Sequence, residues 1–254
     1  MMPNGPGVEQ SMTSIGIFGS RGRMGRAIAE VIGDSEGAAL AGGADQGDDA
    51  GTVARASDVI VDFSSPAALA EHLAAAQAAG TAIVIGTTGL APEHHALIDD
   101  AARTIPVLQA ANTSLGVNLL AHLVRETAAR LGEDWDIEIA EMHHRHKADA
   151  PSGTALMLGG AAAGGRGARL DEVSDRGRDG LTGPRQAGHI GFAALRGGAV
   201  AGDHQVIFAA EGERLELGHR ADSRDIFARG AIKAAVWLNG RAPGRYTMAD
   251  VLGL

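Results

Sequence analysis

The chain has 254 residues, 45% apolar and 21% charged, with a formal net charge of −9; it can fill one large or two small globular domains, and it lacks the basic face that nucleic-acid phosphates select. The absence of cysteine excludes disulfides, thiolate catalysis and Cys-based zinc sites. No apolar run reaches the roughly 20 residues of a membrane span, and the opening MMPNGPGVEQSMTS has neither the basic nor the apolar region of a secretory signal, so the expectation is a cytoplasmic protein with no membrane partner and a disordered tail over residues 1–13.

In chain order, Ser14–Phe18 is apolar and ends at Gly19, the mark of a buried strand. Helical spacing follows over Gly22–Ile32, where Met24, Ile28, Val31 and Ile32 share a face. Further strands are expected at Ala38–Ala44, Asp58–Asp62, Ala82–Ile85 and Pro106–Gln109. Helices are expected at Pro66–Ala79, with proline in the first turn and Gly80 after the end, and at Pro92–Ala102. Nearly all-apolar strands that alternate with helices predict a parallel sheet covered on both faces. The pattern then changes. Gly116–Leu131 reads as a long helix, and Trp135–Met142 as a half-buried strand with Ile137 and Ile139 on one face. A helix starts near Thr154, and the Gly- and Arg-rich stretch Ala163–Pro184 reads as a mobile loop. Alternating strands at His189–Leu195, Val200–Ala209 and Arg214–Arg220, joined by RGGA and EGE, suit antiparallel hairpins. Arg224–Leu238 is a last helix.

Two motifs carry chemistry. Gly19-Ser20-Arg21-Gly22-Arg23-Met24-Gly25 sits between the first strand and the first helix. Its glycines permit close backbone approach, and a helix N-terminus offers N–H groups to a pyrophosphate. Alone the string is equally a plain strand–helix turn. Its place at the first βα turn, with Asp45 ending the next strand 20 residues after Gly25, favours dinucleotide binding, since an acid there accepts from ribose hydroxyls. Gly86-Thr87-Thr88-Gly89 and Ala110-Ala111-Asn112-Thr113 follow two later strands and suit a nicotinamide ring and its ribose; each alone is also an ordinary turn.

The second motif is His143-His144-Arg145-His146-Lys147, followed by Ala150-Pro151-Ser152-Gly153-Thr154, a helix start with Ser152 placed to cap it. Imidazoles, an ammonium and a helix N-terminus together suit a dicarboxylate and supply proton donors. A metal site is disfavoured by the adjacent Arg145 and Lys147; a solvated basic turn is the remaining alternative. His72, His94, His95 and His122 stand apart and read as surface or packing residues.

The strings GSRGRMG, DFSSP, GTTG, ANTSLGVN, EMHHRHKADAPSGTAL and IGFAALRGGAVAGDHQVIF together make the chain resemble the 4-hydroxy-tetrahydrodipicolinate (dihydrodipicolinate) reductase family. The resemblance implies an α/β fold: a Rossmann-like doubly wound sheet domain over 14–112, an α+β substrate and tetramerisation domain over 113–223, and a C-terminal segment over 224–254 that returns to the first. It implies NAD(P)H-dependent reduction at C4 of the substrate in the diaminopimelate–lysine pathway, by a metal-free homotetramer. Carried over by position, Gly19, Ser20, Arg21, Gly22, Arg23 and Met24 would hold the pyrophosphate and Asp45 the adenosine ribose. Gly86, Thr87 and Thr88, with Ala110, Ala111, Asn112 and Thr113, would line the nicotinamide side. His143 and Lys147 would donate protons, while His144, Gly153 and Thr154 would bind substrate carboxylate. Family members often carry arginine where this chain has Gln46 and Ser65, which predicts a preference for NADH over NADPH; an aromatic residue is common at the place of Thr113. A different dinucleotide-dependent enzyme of this two-domain build, such as an aspartate or inositol dehydrogenase relative, and a catalytically silent NAD sensor are the alternatives; the HHRHK loop argues against the first, and the intact His143, Lys147 and Gly153-Thr154 set against the second.

Overall fold

A computed structural model describes residues 12–254; most of the expected tail lies outside them. The chain divides into two compact units. The described residues up to Thr113 form one together with Phe227–Gly253, and Ser114–Ile226 form the other.

In the first unit, strands β1 (Thr13–Phe18), β2 (Ala38–Ala44), β3 (Val59–Asp62), β4 (Ala82–Ile85) and β5 (Pro106–Gln109) alternate with helices α1 (Arg23–Gly33), α2 (Ala50–Arg55), α3 (Leu69–Ala79) and α4 (Pro92–Ala101). A 3-10 turn at Pro66–Ala68 leads into α3, which ends on Gly80 at φ 69°. That left-handed conformation costs glycine nothing. The helix α2 is an addition to the sequence expectation: Asp49 caps it by accepting from the Gly51 amide, and six residues are too few to show a period.

The second unit begins with α5 (Leu115–Arg130), β6 (Asp136–His143), α6 (Gly153–Gly165) and α7 (Leu170–Val173). It continues through the two-residue strand β7 (Ser174–Asp175), β8 (Ile190–Arg196), β9 (Gly202–Ala210) and β10 (Glu213–Ala221). Helix α8 (Asp225–Leu238) then carries the chain into the first unit, where β11 (Gly244–Tyr246) and α9 (Met248–Leu252) complete it. The last two are also additions; β11 is three residues long, with Tyr246 edge-on to Trp237 and Arg245 paired with Asp99.

The first sheet has the order β11-β5-β4-β3-β1-β2 with all pairs parallel, a doubly wound sheet as expected. Phe18, Ile60, Ile83, Ile85 and Val107 pack on one side against Leu69, Leu73 and Ile98. Alternate residues Ile17, Val59, Val61, Val84 and Leu108 are equally buried, so both faces are covered.

The second sheet has the order β10-β9-β6-β8-β7. Here the hairpin expectation is corrected. Only β9 and β10 form an antiparallel hairpin, through a turn with Gly212 at φ 93°. Strand β8 does not pair with β9; it lies parallel to β6, whose other edge takes β9 antiparallel. The expected alternation is seen in β9, whereas β8 is buried over Ile190, Gly191 and Phe192 and open beyond them; which strands neighbour each other is set by the core. Ile137, Ile139, Phe192, Val206 and Phe208 turn one face inward against Leu120, Val124, Leu158 and Ala162 of α5 and α6.

The stretch expected as a loop over Ala163–Pro184 is also corrected. It contains the end of α6, then α7 and β7. Residues 176–184 carry no helix or strand, as expected of a loop; they are anchored by Arg178, which reaches Glu138, and by Arg185 just beyond them, which donates to Asp136, Glu138, and the Ile137 and His189 carbonyls. Among the described residues, no helix is long and apolar enough to cross a membrane.

Candidate active site

Two groups of residues stand out, one in each unit. In the first unit the loops at the carboxyl ends of β1, β2 and β3 surround a cavity of about 510 Å³ lined by Gly19, Gly22, Asp45, Phe63, Ser64 and His72, among others. Gly19, at φ 79°, has no room for a side chain, because a Cβ would lie 2.7 Å from the Phe63 carbonyl oxygen. Gly25 lets α1 press onto the loop; a Cβ there would lie 2.3 Å from the Gly19 oxygen. Gly22 occupies the N-cap of α1 and makes no side-chain cap. The first-turn amides are thus left to an anionic ligand, which fits a pyrophosphate.

Asp45 closes this loop from β2. Its carboxylate accepts from the Ser20 hydroxyl at 2.9 Å and the Arg21 amide at 2.6 Å. The Arg21 guanidinium does not reach into the cavity; it pairs with Asp48 at 2.6 Å. Arg23 is exposed and Met24 partly buried. Gln46, Asp48, Ser65 and Glu71 complete the wall, which therefore holds three carboxylates and no arginine or lysine.

The expectation missed what holds these loops in place. Asp62, fully buried at the end of β3, accepts from the Ser64 amide (2.9 Å), the Ser64 hydroxyl (2.6 Å) and the Thr87 hydroxyl (3.2 Å). Its second oxygen meets His72 Nδ1 at 2.8 Å. His72 is therefore a buried partner of Asp62, not an isolated packing residue. Gly86 lies under the Phe63 ring, where a Cβ would come within 2.2 Å. Thr87 is buried and Thr88 exposed. Beyond β5, Ala110 is buried, Ala111 exposed and Asn112 partly buried. Thr113 is 1% exposed and its hydroxyl donates to the Phe227 carbonyl at 2.7 Å, so its side chain is engaged within the fold.

In the second unit, β6 delivers the HHRHK segment. Residues alternate along a strand, so Ile137, Ile139, Glu141 and His143 all face inward, and the last two continue the apolar row with titratable groups. Glu141 is 2% exposed and His143 8%. The Glu141 carboxylate accepts two bonds from Arg196, each at 2.9 Å, one from His143 Nδ1 at 2.5 Å, and one from the Ser152 amide at 3.2 Å. Burial alone would raise its pKa; Arg196 and His143 more than offset that and hold it below the usual carboxylate range. His204 lies edge-on to His143, ring centroids 5.0 Å apart, with Nε2 3.2 Å from the Ser152 hydroxyl. Burial, with His143 adding repulsion, pushes His204 down to about 4, so it is neutral at physiological pH.

Lys147 pairs with Asp149 at 2.8 Å. His144 accepts from the Arg224 guanidinium at 2.9 Å; desolvation first, then Arg224, holds its imidazole below the ordinary range. Ser152 caps α6 as expected, accepting from the Ala155 amide at 3.1 Å, which puts Gly153 and Thr154 in the first turn of that helix. The second unit thus gathers His143, His144, Lys147 and the α6 start, and adds Glu141, Arg196, His204 and Arg224. Glu141 was within reach of the sequence, because a carboxylate two residues before a histidine on one strand must share its face. Among the described residues there is no His/Asp/Glu grouping suited to a metal ion.

The family model described as "Dihydrodipicolinate reductase, N-terminus" matches residues 13–113, and that described as "Dihydrodipicolinate reductase, C-terminus" matches residues 116–252. The chain belongs to the dihydrodipicolinate reductase family. It is 57% identical to the 4-hydroxy-tetrahydrodipicolinate reductase of Zymomonas mobilis, covering 97% of this chain and 99% of that one. It is 52% identical to the protein of the same name from Parvibaculum lavamentivorans, over 94% and 97% of the two chains. The dipicolinate-bound dihydrodipicolinate reductase of a Paenisporosarcina species has the same fold, with TM-score 0.77 at 24% identity over 94% of this chain and 99% of that one. The chain is accordingly an oxidoreductase with a Rossmann-like domain that takes a pyridine nucleotide.

Proposed function

We propose that this enzyme reduces 4-hydroxy-tetrahydrodipicolinate to tetrahydrodipicolinate, with NADH as the preferred reductant, in the route to diaminopimelate and lysine. The observation that carries the reading is the inward-facing His143 on β6, backed by a buried carboxylate and followed in the same loop by Lys147, which leads to the α6 N-terminus. NADH, when bound, supplies the hydride that adds at C4. Gly19, Ser20, Arg21, Gly22, Arg23 and Met24 hold its pyrophosphate, and Asp45 its adenosine ribose. The Gly86–Thr88 and Ala110–Thr113 loops take the nicotinamide side. His144, Arg224, and the Gly153 and Thr154 amides bind substrate carboxylates, where cations and a helix N-terminus stabilise negative charge. His143 and Lys147 supply the proton that accompanies reduction and loss of water.

Preference for NADH rests on the cavity wall. Asp45 and Glu71 would repel a 2′-phosphate, Gln46 and Ser65 bring no cation, and the charge of Arg21 is spent on Asp48. Tetramer assembly is proposed through the outward face of the second sheet, where Leu195 is 56% exposed beside Met142; light scattering on Leu195→Asp, expected to yield smaller species, tests it. For the reaction itself, oxidation of NADH is followed with the freshly generated product of the preceding synthase. Absence of turnover refutes the activity, and a higher kcat/KM with NADPH refutes the preference.

A further inference from the structure

The geometry points to Glu141 and Arg196 as positioning residues that fix the proton-carrying atom of His143, an inference that rests on the proton-donor reading above. Glu141 and His143 stand two apart on β6 and face the same way. Arg196 is the β8 residue in register with His143, so its guanidinium meets Glu141 from the neighbouring strand with two parallel bonds. That bidentate pair and the Ser152 amide would by themselves satisfy a structural carboxylate. The fourth donor is His143 Nδ1. Since ionised Glu141 can only accept, Nδ1 carries a hydrogen, and Nε2 is the atom left to exchange a proton.

The surroundings keep that atom clear. Gly202 on β9 lies beside it, and a Cβ there would lie 3.0 Å from His143 Nε2. The titratable and charged groups facing His143 are Glu141 on its own strand, Arg196 on β8, neutral His204 on β9, and Lys147 and His144 on the following loop. Of these only Glu141 is negative, so it is the group that stabilises the imidazolium. Arg196 reaches further: it donates to the Asp149 carbonyl at 2.6 Å, and the Asp149 carboxylate holds Lys147. One guanidinium thus joins the carboxylate behind His143 to the segment that carries the lysine. In turnover the Nε2–H bond breaks, its electron pair stays on the ring, and the proton passes to the substrate. Glu141 stays ionised throughout and keeps Nδ1–H, and solvent returns the proton to Nε2.

The test uses the full-length enzyme. Glu141→Gln is expected to lower kcat about 100-fold, within the range that general acid–base groups contribute, with KM for the dicarboxylate and Kd for NADH changed less than twofold. The alkaline limb of the kcat–pH profile shifts, because the carboxylate that faces the reacting ring is gone. In nitrogen-15 histidine spectra His143 changes from a single Nδ1–H tautomer to a mixture, a readout that loss of packing alone does not produce. Glu141→Gln with Arg196→Met, which leaves no unpaired guanidinium, carries the same three readouts if the single variant does not fold. His143→Gln separates the two ideas. If it retains full kcat, the proton-donor reading falls and this inference with it. If it is inactive while Glu141→Gln keeps the wild-type rate, limb and tautomer, only the positioning role is overturned.

Discussion

Replacing Asp62 tests what organises the cofactor-side loops. The carboxylate is fully buried and makes four contacts, to the Ser64 amide and hydroxyl, Thr87 and His72. A hydrogen bond to a charged group contributes about 1.5–3 kcal/mol. Four do not add, because Ser64 and Thr87 re-pair partly with each other; the Ser64 amide already lies 3.1 Å from the Thr87 hydroxyl. Removal of one partner from a buried charged network costs about 3–5 kcal/mol, and that is the expected loss for Asp62→Ala in urea unfolding. Asp62→Asn keeps an acceptor for Ser64 and lets His72 change tautomer, so it should cost only about 1 kcal/mol. Kd for NADH, from fluorescence titration, should rise about tenfold in the alanine variant, equivalent to about 1.4 kcal/mol, since Ser64 lines the cavity and Thr87 begins the next loop. An alanine variant within 1 kcal/mol of wild type, with unchanged NADH affinity, would show that the loops hold themselves.

Burial of neutral His204 makes stability pH-dependent. The unfolded imidazole takes a proton below about 6.5 and the folded one only near about 4, so acid favours unfolding across that window. Stability is undiminished above that window and loses about 3 kcal/mol as pH falls through it; His204→Phe should flatten the urea midpoint between these limits, and an unchanged slope refutes the assignment. Gly202→Ala should crowd Nε2 of His143, lowering kcat at least tenfold for a stability loss of about 1–3 kcal/mol; wild-type kcat would place the reacting edge elsewhere. Gln46→Arg combined with Ser65→Arg should raise kcat/KM for NADPH relative to NADH by more than tenfold, measured by steady-state kinetics, and no change would exclude those positions as the 2′-phosphate contact.

What was legible in the sequence was local. The βα alternation, the Gly19–Gly25 turn and the Ser152 cap are written in adjacent residues, and period and punctuation suffice to find them. Asp62 and His72 are ten residues apart on a strand and a helix, so only the packing of α3 on β3 makes them a pair. Arg196 reads as the start of an RGG turn until the parallel pairing of β8 with β6 sets it beside Glu141. The expected β8–β9 hairpin failed for the same cause. Sheet neighbours are chosen by which apolar faces meet, a long-range choice that a turn signal between two strands does not fix.

The Thr113–Phe227 hydrogen bond, at 2.7 Å, joins the last residue before the second unit to the first residue after it. Residues 114–226 therefore leave and re-enter the first unit at one place, which is the topology of a domain inserted into a loop of another. Successive Cα atoms lie about 3.8 Å apart, so a linker of a few residues could close the same gap. A single reading frame from residue 12 to 113, such a linker, and 227 to 253 would then encode the whole six-stranded sheet, β11 included, as a stand-alone nucleotide-binding module. The inserted unit becomes, in engineering terms, a replaceable cassette: a different substrate domain could be spliced between the same two residues without disturbing the sheet that receives it.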